Sequence, residues 1–145
     1  MQKRSQQWAQ AEYARAHSHL SGMGVLNGKI TQSESRVLPP LVALWRCSGK
    51  LDGKELELWV ITGQEIPTDH LAVNVAKDAR DAMRHFSMSW HLKAARLEQE
   101  AKDQASASSE SGELRQNYIK SLTASAERLA QLVETPALWP EFQKA

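Results

Sequence analysis

The chain has 145 residues, of which 41% are hydrophobic and 24% charged, the make-up of an ordinary globular protein with one core of real size. Eighteen basic residues against 17 acidic leave a net charge of +1, which argues against a nucleic-acid binder. A lone cysteine, Cys47, excludes an internal disulfide, and no stretch approaches the ~18 apolar residues that a membrane span needs.

These features fit a soluble protein of a reducing cytoplasm. The opening "MQKRSQQWAQ" contains no apolar run, so no signal peptide is expected. Cys47 falls within an apolar strand pattern, where a packed thiol is the expectation.

In chain order, residues 1–20 read as a helix, with Ala9, Tyr13, Ala16 and Leu20 at helical spacing. Gly22 and Gly24 end it. Residues 21–40 read as a connector. Asn27-Gly28 marks a tight turn within it, and Pro39-Pro40 closes it.

The clearest local unit is "LVALWRCSGKLDGKELELWVIT", residues 41–62. Two apolar runs flank Asp52-Gly53, the preferred chemistry of a type I′ hairpin turn. That turn predicts the pairs Leu51 with Lys54, Trp45 with Val60, Arg46 with Trp59 and Cys47 with Leu58. One face then collects Ala43, Trp45, Cys47, Leu56, Leu58 and Val60, and the other Val42, Leu44, Arg46, Glu57, Trp59 and Ile61. Both faces are apolar near the open end. A two-stranded hairpin is marginal alone, so each face needs a cover.

A long helix is predicted over 69–102. Its stripe of Ala72, Val75, Ala79, Met83, Phe86, Trp90, Ala94, Leu97 and Ala101 steps by three or four without a break. Residues 103–112, polar and small, read as a link. A second helix over 113–134 carries Leu114, Tyr118, Leu122, Leu129 and Leu132 or Val133, and Thr135-Pro136 stops it. The two helices form a helical hairpin, and the tail 135–145 keeps Trp139 and Phe142 for one more contact. The predicted fold is α+β, in a single domain spanning 1–145: an N-terminal helix, an antiparallel hairpin, then two paired helices.

Few constellations suggest chemistry. In "PTDH", residues 67–70, Thr68 or Asp69 reads as a helix cap. The alternative makes His70 a general base oriented by Asp69, the weak catalytic candidates of this chain. Neighbouring residues on a helix do not face each other, which favours the cap. Asp78, Asp81 and His85 read as an ion-pair cluster. As a metal site they lack further ligands, so no metal and no cofactor is expected. Lys77, Arg80, Arg84 and His91 make a basic strip diluted by the two aspartates. No nucleotide-binding glycine loop, nucleophile elbow, zinc motif or EF-hand occurs.

Five tryptophans, Trp8, Trp45, Trp59, Trp90 and Trp139, exceed ordinary usage. Trp45 and Trp90 sit in core patterns. Trp59, with Arg46 beside it as a cation–π partner, and Trp139 are the candidate partner-binding residues.

With "LPPLVALW", "WVITGQEIPTDH" and "ARDAMRHFSMSWHLKAARLE" assembled, residues 36–98 resemble a small family of uncharacterised bacterial proteins known as a domain of unknown function. The resemblance implies a bacterial cytoplasmic protein and brings no activity and no catalytic residues. The expected function is non-enzymatic protein–protein interaction, as a regulator, adaptor or antitoxin-like immunity protein. The expected partner is a protein or a second copy of the chain, with no nucleic acid and no membrane. The predicted helices of ~50 Å and ~33 Å leave part of the longer stripe uncovered, which motivates a homodimer. The alternative is a small enzyme or ligand-binding protein with its site around Asp69 and His70.

Overall fold

A computed structural model describes residues 2–103 and 109–142. The order of elements is α1 (Gln2–Met23), β1 (Leu26–Leu38), β2 (Val42–Leu51), β3 (Lys54–Gly63), β4 (Asp69–Ala72), α2 (Ala79–Asp103) and α3 (Ser109–Val133). Single 3-10 turns stand at Val73–Val75, Pro136–Leu138 and Pro140–Phe142. The class is α+β, as the patterning predicts. The chain divides into two compact units, Met1–Met83 and Arg84–Ala145, and the division falls inside α2.

The first unit is built on the hairpin. Asp52 and Gly53 both adopt positive φ, 52° and 79°, as a type I′ turn requires. The register follows from that turn: Leu51 faces Lys54, Cys47 faces Leu58, Arg46 faces Trp59 and Trp45 faces Val60. Gly63, at the end of β3, has no room for a side chain, because a Cβ there would lie 2.5 Å from the Leu41 carbonyl oxygen.

Two strands join the hairpin that local patterning leaves as connector and helix. All four strands run antiparallel in the order β1-β2-β3-β4. The predicted connector 21–40 contains β1, a polar edge strand whose ladder is twice interrupted, between Leu26 and Lys29 and between Thr31 and Arg36. Asn27-Gly28 sits at the first interruption, with Asn27 at φ 56°, so this dipeptide makes a bulge rather than a tight turn. Near the second, the Ser35 hydroxyl donates to the Thr31 carbonyl at 2.8 Å and accepts the Arg46 N–H at 2.9 Å.

α1 covers the sheet face that the hairpin register defines. Ala16 and Leu20 of the helix and Val25 after it pack with Ala43, Trp45, Cys47, Leu58 and Val60, and Tyr13 meets the Trp45 ring edge-on at 5.6 Å. The Trp45 indole donates to the buried Thr62 hydroxyl at 3.0 Å. On the opposite face Val42, Leu44, Trp59 and Ile61 are all buried. There the Trp59 indole donates to the Ala76 carbonyl at 3.0 Å, just after the Val73–Val75 turn.

In the second unit α2 and α3 meet antiparallel: the Ser87 hydroxyl donates to the Ala126 carbonyl at 2.8 Å, and further along α2 the Lys93 ammonium lies over the earlier Tyr118 ring at 5.6 Å. Phe86, Trp90 and Ala94 of α2 and Ile119, Leu122, Ala126, Leu129 and Val133 of α3 are buried. The α3 stripe therefore runs through Ile119 rather than Tyr118, and the expected core residues Leu114 and Tyr118 are exposed. α3 begins at Ser109, inside the predicted link 103–112; residues 104–108 of that link lie outside the described residues.

The Trp45–Thr62 bond yields a stability prediction. Thr62→Val keeps the shape of the side chain but leaves a buried indole N–H without an acceptor, so it should cost about 1–3 kcal/mol. In a Trp45→Phe background the same change should cost close to nothing. Equal costs in both backgrounds, measured by denaturant unfolding, would show that the bond carries none of the effect.

Candidate functional site

"PTDH" does not start a helix. Residues 69–72 form β4 on the edge of β3, with Ile61 facing Asp69 and Val60 facing His70. The open N–H and C=O groups of β3 take up this segment's backbone, and that ladder outweighs the local capping preference. The Asp69 carboxylate instead accepts the N–H of His70 at 2.8 Å. The long helix opens ten residues later than predicted, and Asp78 caps it. The Asp78 carboxylate accepts the Asp81 N–H at 2.8 Å, and the Asp81 carboxylate reaches back to the Lys77 N–H at 3.2 Å. This is a capping arrangement with an aspartate at each end. It accounts for Asp78 and Asp81 of the predicted ion-pair cluster, and it places Lys77 before the helix rather than on it.

Strand alternation places His70 on the side of the sheet that carries Val60, the face covered by α1. From α1, the spacing of Glu12, Arg15 and His19 sets those three along one edge of the helix. The result is a histidine pair closed across 51 residues of sequence. His19 Nε2 lies 2.8 Å from His70 Nδ1, with ring centroids 5.0 Å apart. One nitrogen donates and the other accepts, so the contact requires one proton between the two facing atoms. Burial holds the His19 pKa below the ordinary histidine value, a charged His70 lowers it further, and the Asp69 carboxylate opposes both.

A buried carboxylate lies two turns back along α1. Glu12 is 4% exposed and meets Arg15 at 3.6 Å, while its Oε1 has no hydrogen-bond partner. The Arg15 guanidinium also donates to the Gly63 carbonyl at 3.4 Å. Chemically, the histidine pair can hold and pass a proton. Its two nitrogens are too few to make a metal site, and among the described residues no group of three or more His, Cys, Asp or Glu side chains is placed to hold a metal. His19 escapes sequence reasoning because nothing local connects "ARAHSHL" to "PTDH".

The other candidate residues are engaged within the chain. Trp59 and Trp139 are each 1% exposed and each donates an indole N–H to a backbone carbonyl, of Ala76 and of Leu132 respectively. Neither ring is at the surface, contrary to the expectation that they anchor a partner. The internal carbonyls that satisfy both indoles supply the reason. Arg46 lies 5.6 Å over the Trp59 ring, as the register predicts, and pairs with Glu57 at 3.1 Å and more loosely with Glu34 at 4.0 Å. Cys47 is buried and donates weakly to the Trp45 carbonyl, and burial raises its thiol pKa to about 12, which makes it a packed thiol.

The fold and the histidine pair define a small α+β protein whose antiparallel sheet is closed at one edge by a helix-to-strand imidazole contact. The chain belongs to the DUF4826 family, a domain of unknown function, whose family model matches residues 2–139. The match extends well beyond the 36–98 stretch that carries the sequence resemblance. No curated protein and no solved structure matches the chain. No helix among the described residues is long and apolar enough to cross a membrane.

Two outcomes are expected from this geometry. Asp78→Ala should cost about 1 kcal/mol while Asp69→Ala leaves helix content unchanged, because Asp78 and not Asp69 caps α2. The lowered His19 pKa means that the folded chain binds fewer protons than the unfolded one below about pH 6.5. Its stabilising contribution is present above that pH and is lost as pH falls through the lowered folded value. The drop in melting temperature from pH 7.5 to 5.5 should therefore be larger for the native chain than for His19→Gln. Parallel curves for the two proteins would remove the pair from the pH response.

Proposed function

We propose that the protein is a non-enzymatic interaction protein of the bacterial cytoplasm, a regulator, adaptor or antitoxin-like immunity protein, which works by holding another protein. The supporting observation is the exposed apolar surface of the helical hairpin. Met88 is 54% exposed and Leu92 70%, one turn apart on α2; Leu114 is 72% and Tyr118 45% exposed, one turn apart on α3. Between the two helices the Lys93 ammonium lies over the Tyr118 ring at 5.6 Å. Exposed pairs of large apolar side chains, Met88 with Leu92 above all, are the kind of surface that marks a contact site. The cytoplasmic assignment draws on the buried, single cysteine and on the family resemblance.

A second reading, a ligand-binding or catalytic site, is favoured by the His19–His70 pair with Asp69 beside it. The two readings separate by residue. In the native host, a photo-crosslinking side chain at position 92 of the full chain should give a discrete protein adduct that is missing when the same group stands at Gln6 on α1. His70→Ala should leave that adduct in place. An adduct of twice the chain mass would identify a second copy as the partner. Equal, diffuse labelling at both positions would overturn the interaction reading, and loss of function in His70→Ala with a normal adduct would favour the site.

A further inference from the structure

The same face of α2 has a charge pattern that specifies the chemistry of its partner. Between Ala82 and Leu97 the chain carries Arg84, Lys93 and Arg96, with His85 and His91, and no carboxylate. Helical geometry stacks His85, Met88, Ser89, Leu92 and Arg96 over successive turns of one side, with Lys93 at its flank. They line a shallow recess of about 380 Å³. Its lining combines the apolar Met88 and Leu92 with the cations Lys93 and Arg96. Lys93, at the flank nearer α3, also lies over the Tyr118 ring at 5.6 Å.

We infer that this face docks an acidic amphipathic helix of another protein, its apolar side chains on Met88 and Leu92 and its carboxylates on Lys93 and Arg96. The inference rests on the interaction reading above and adds the partner's chemistry to it. An apolar strip flanked by cations is complementary to a helix with apolar residues at every third or fourth position and carboxylates on either side. The cations orient the partner and speed its approach, and the apolar lining slows its departure. A symmetric pairing of two copies through this face would bring Lys93 and Arg96 of both copies into one interface with no carboxylate of the recess to offset them. That accumulation of positive charge disfavours self-association here.

The test uses the full-length protein and two labelled 20-residue amphipathic helical peptides. Both have the same leucine face; one carries glutamates on its polar face and the other lysines. By fluorescence anisotropy the acidic peptide should bind at least about tenfold more tightly, and its affinity should fall several-fold between 50 and 300 mM salt. The K93E/R96E variant should lose about tenfold for the acidic peptide and gain for the basic one, and M88S/L92S should weaken both. Circular dichroism checks that each variant is folded. Equal binding of the two peptides, binding of neither, or an acidic preference that survives K93E/R96E would overturn the inference. So would tighter association with phosphatidylserine vesicles or duplex DNA than with the acidic peptide. If M88S/L92S weakens both peptides while K93E/R96E changes nothing, the apolar contact site stands and only the acidic partner falls. If position 92 gives no adduct in the host, the broader reading falls whatever the peptides do.

Discussion

The Asp52-Gly53 turn is the constraint on which the sheet depends. Two consecutive residues in the left-handed region set the hairpin twist and leave one register open. A slip of one residue would flip one strand against the other, so that Trp45 and Cys47 of β2 could no longer share the α1 side with Leu58 and Val60 of β3. With the register in place, each face has its own apolar set and its own polar satisfaction. Trp45 finds Thr62 on the α1 side, and Trp59 finds the Ala76 carbonyl on the other. Two large aromatic groups are thereby buried with their N–H groups satisfied, which is the condition for burying them at all.

The outer strands follow from that centre. Once β2 and β3 are paired, each presents an open row of backbone groups, and the chain on either side supplies the complement. β1 does so with a polar sequence, two ladder interruptions and a serine that replaces a missing backbone partner. β4 does so in four residues, and this short pairing carries His70 to His19. The histidine contact is a consequence of edge pairing: without β4 on β3, nothing would hold the imidazole of His70 against α1.

The second unit answers a different packing demand. Two paired helices bury one stripe each, and the stripe of α3 passes through Ile119, Leu122, Ala126, Leu129 and Val133. That choice leaves Leu114 and Tyr118 exposed, while Met88 and Leu92 stand exposed on the side of α2 away from its buried stripe. Trp139, which reads from sequence as an anchor, is buried and donates to the Leu132 carbonyl.

The sequence by itself determined the α+β class, the hairpin with its residue-by-residue register, the central stripe of α2 from Ala79 to Ala94, the Arg46–Trp59 contact and the packed state of Cys47. Each of these rests on interactions within a turn, a heptad or a pair of strands joined by two residues, so spacing alone encodes them. Only the tertiary structure decided the rest. β1 and β4 are strands because β2 and β3 offer them backbone partners, whatever their own patterning suggests. The helix cap moved from Asp69 to Asp78 because the sheet edge claimed residues 69–72. Trp59 and Trp139 are internal because folding brings backbone carbonyls, of Ala76 and Leu132, to accept their N–H groups. The His19–His70 pair exists because a helix near one end and an edge strand in the middle converge, and contacts between residues that far apart leave no period or spacing in the sequence.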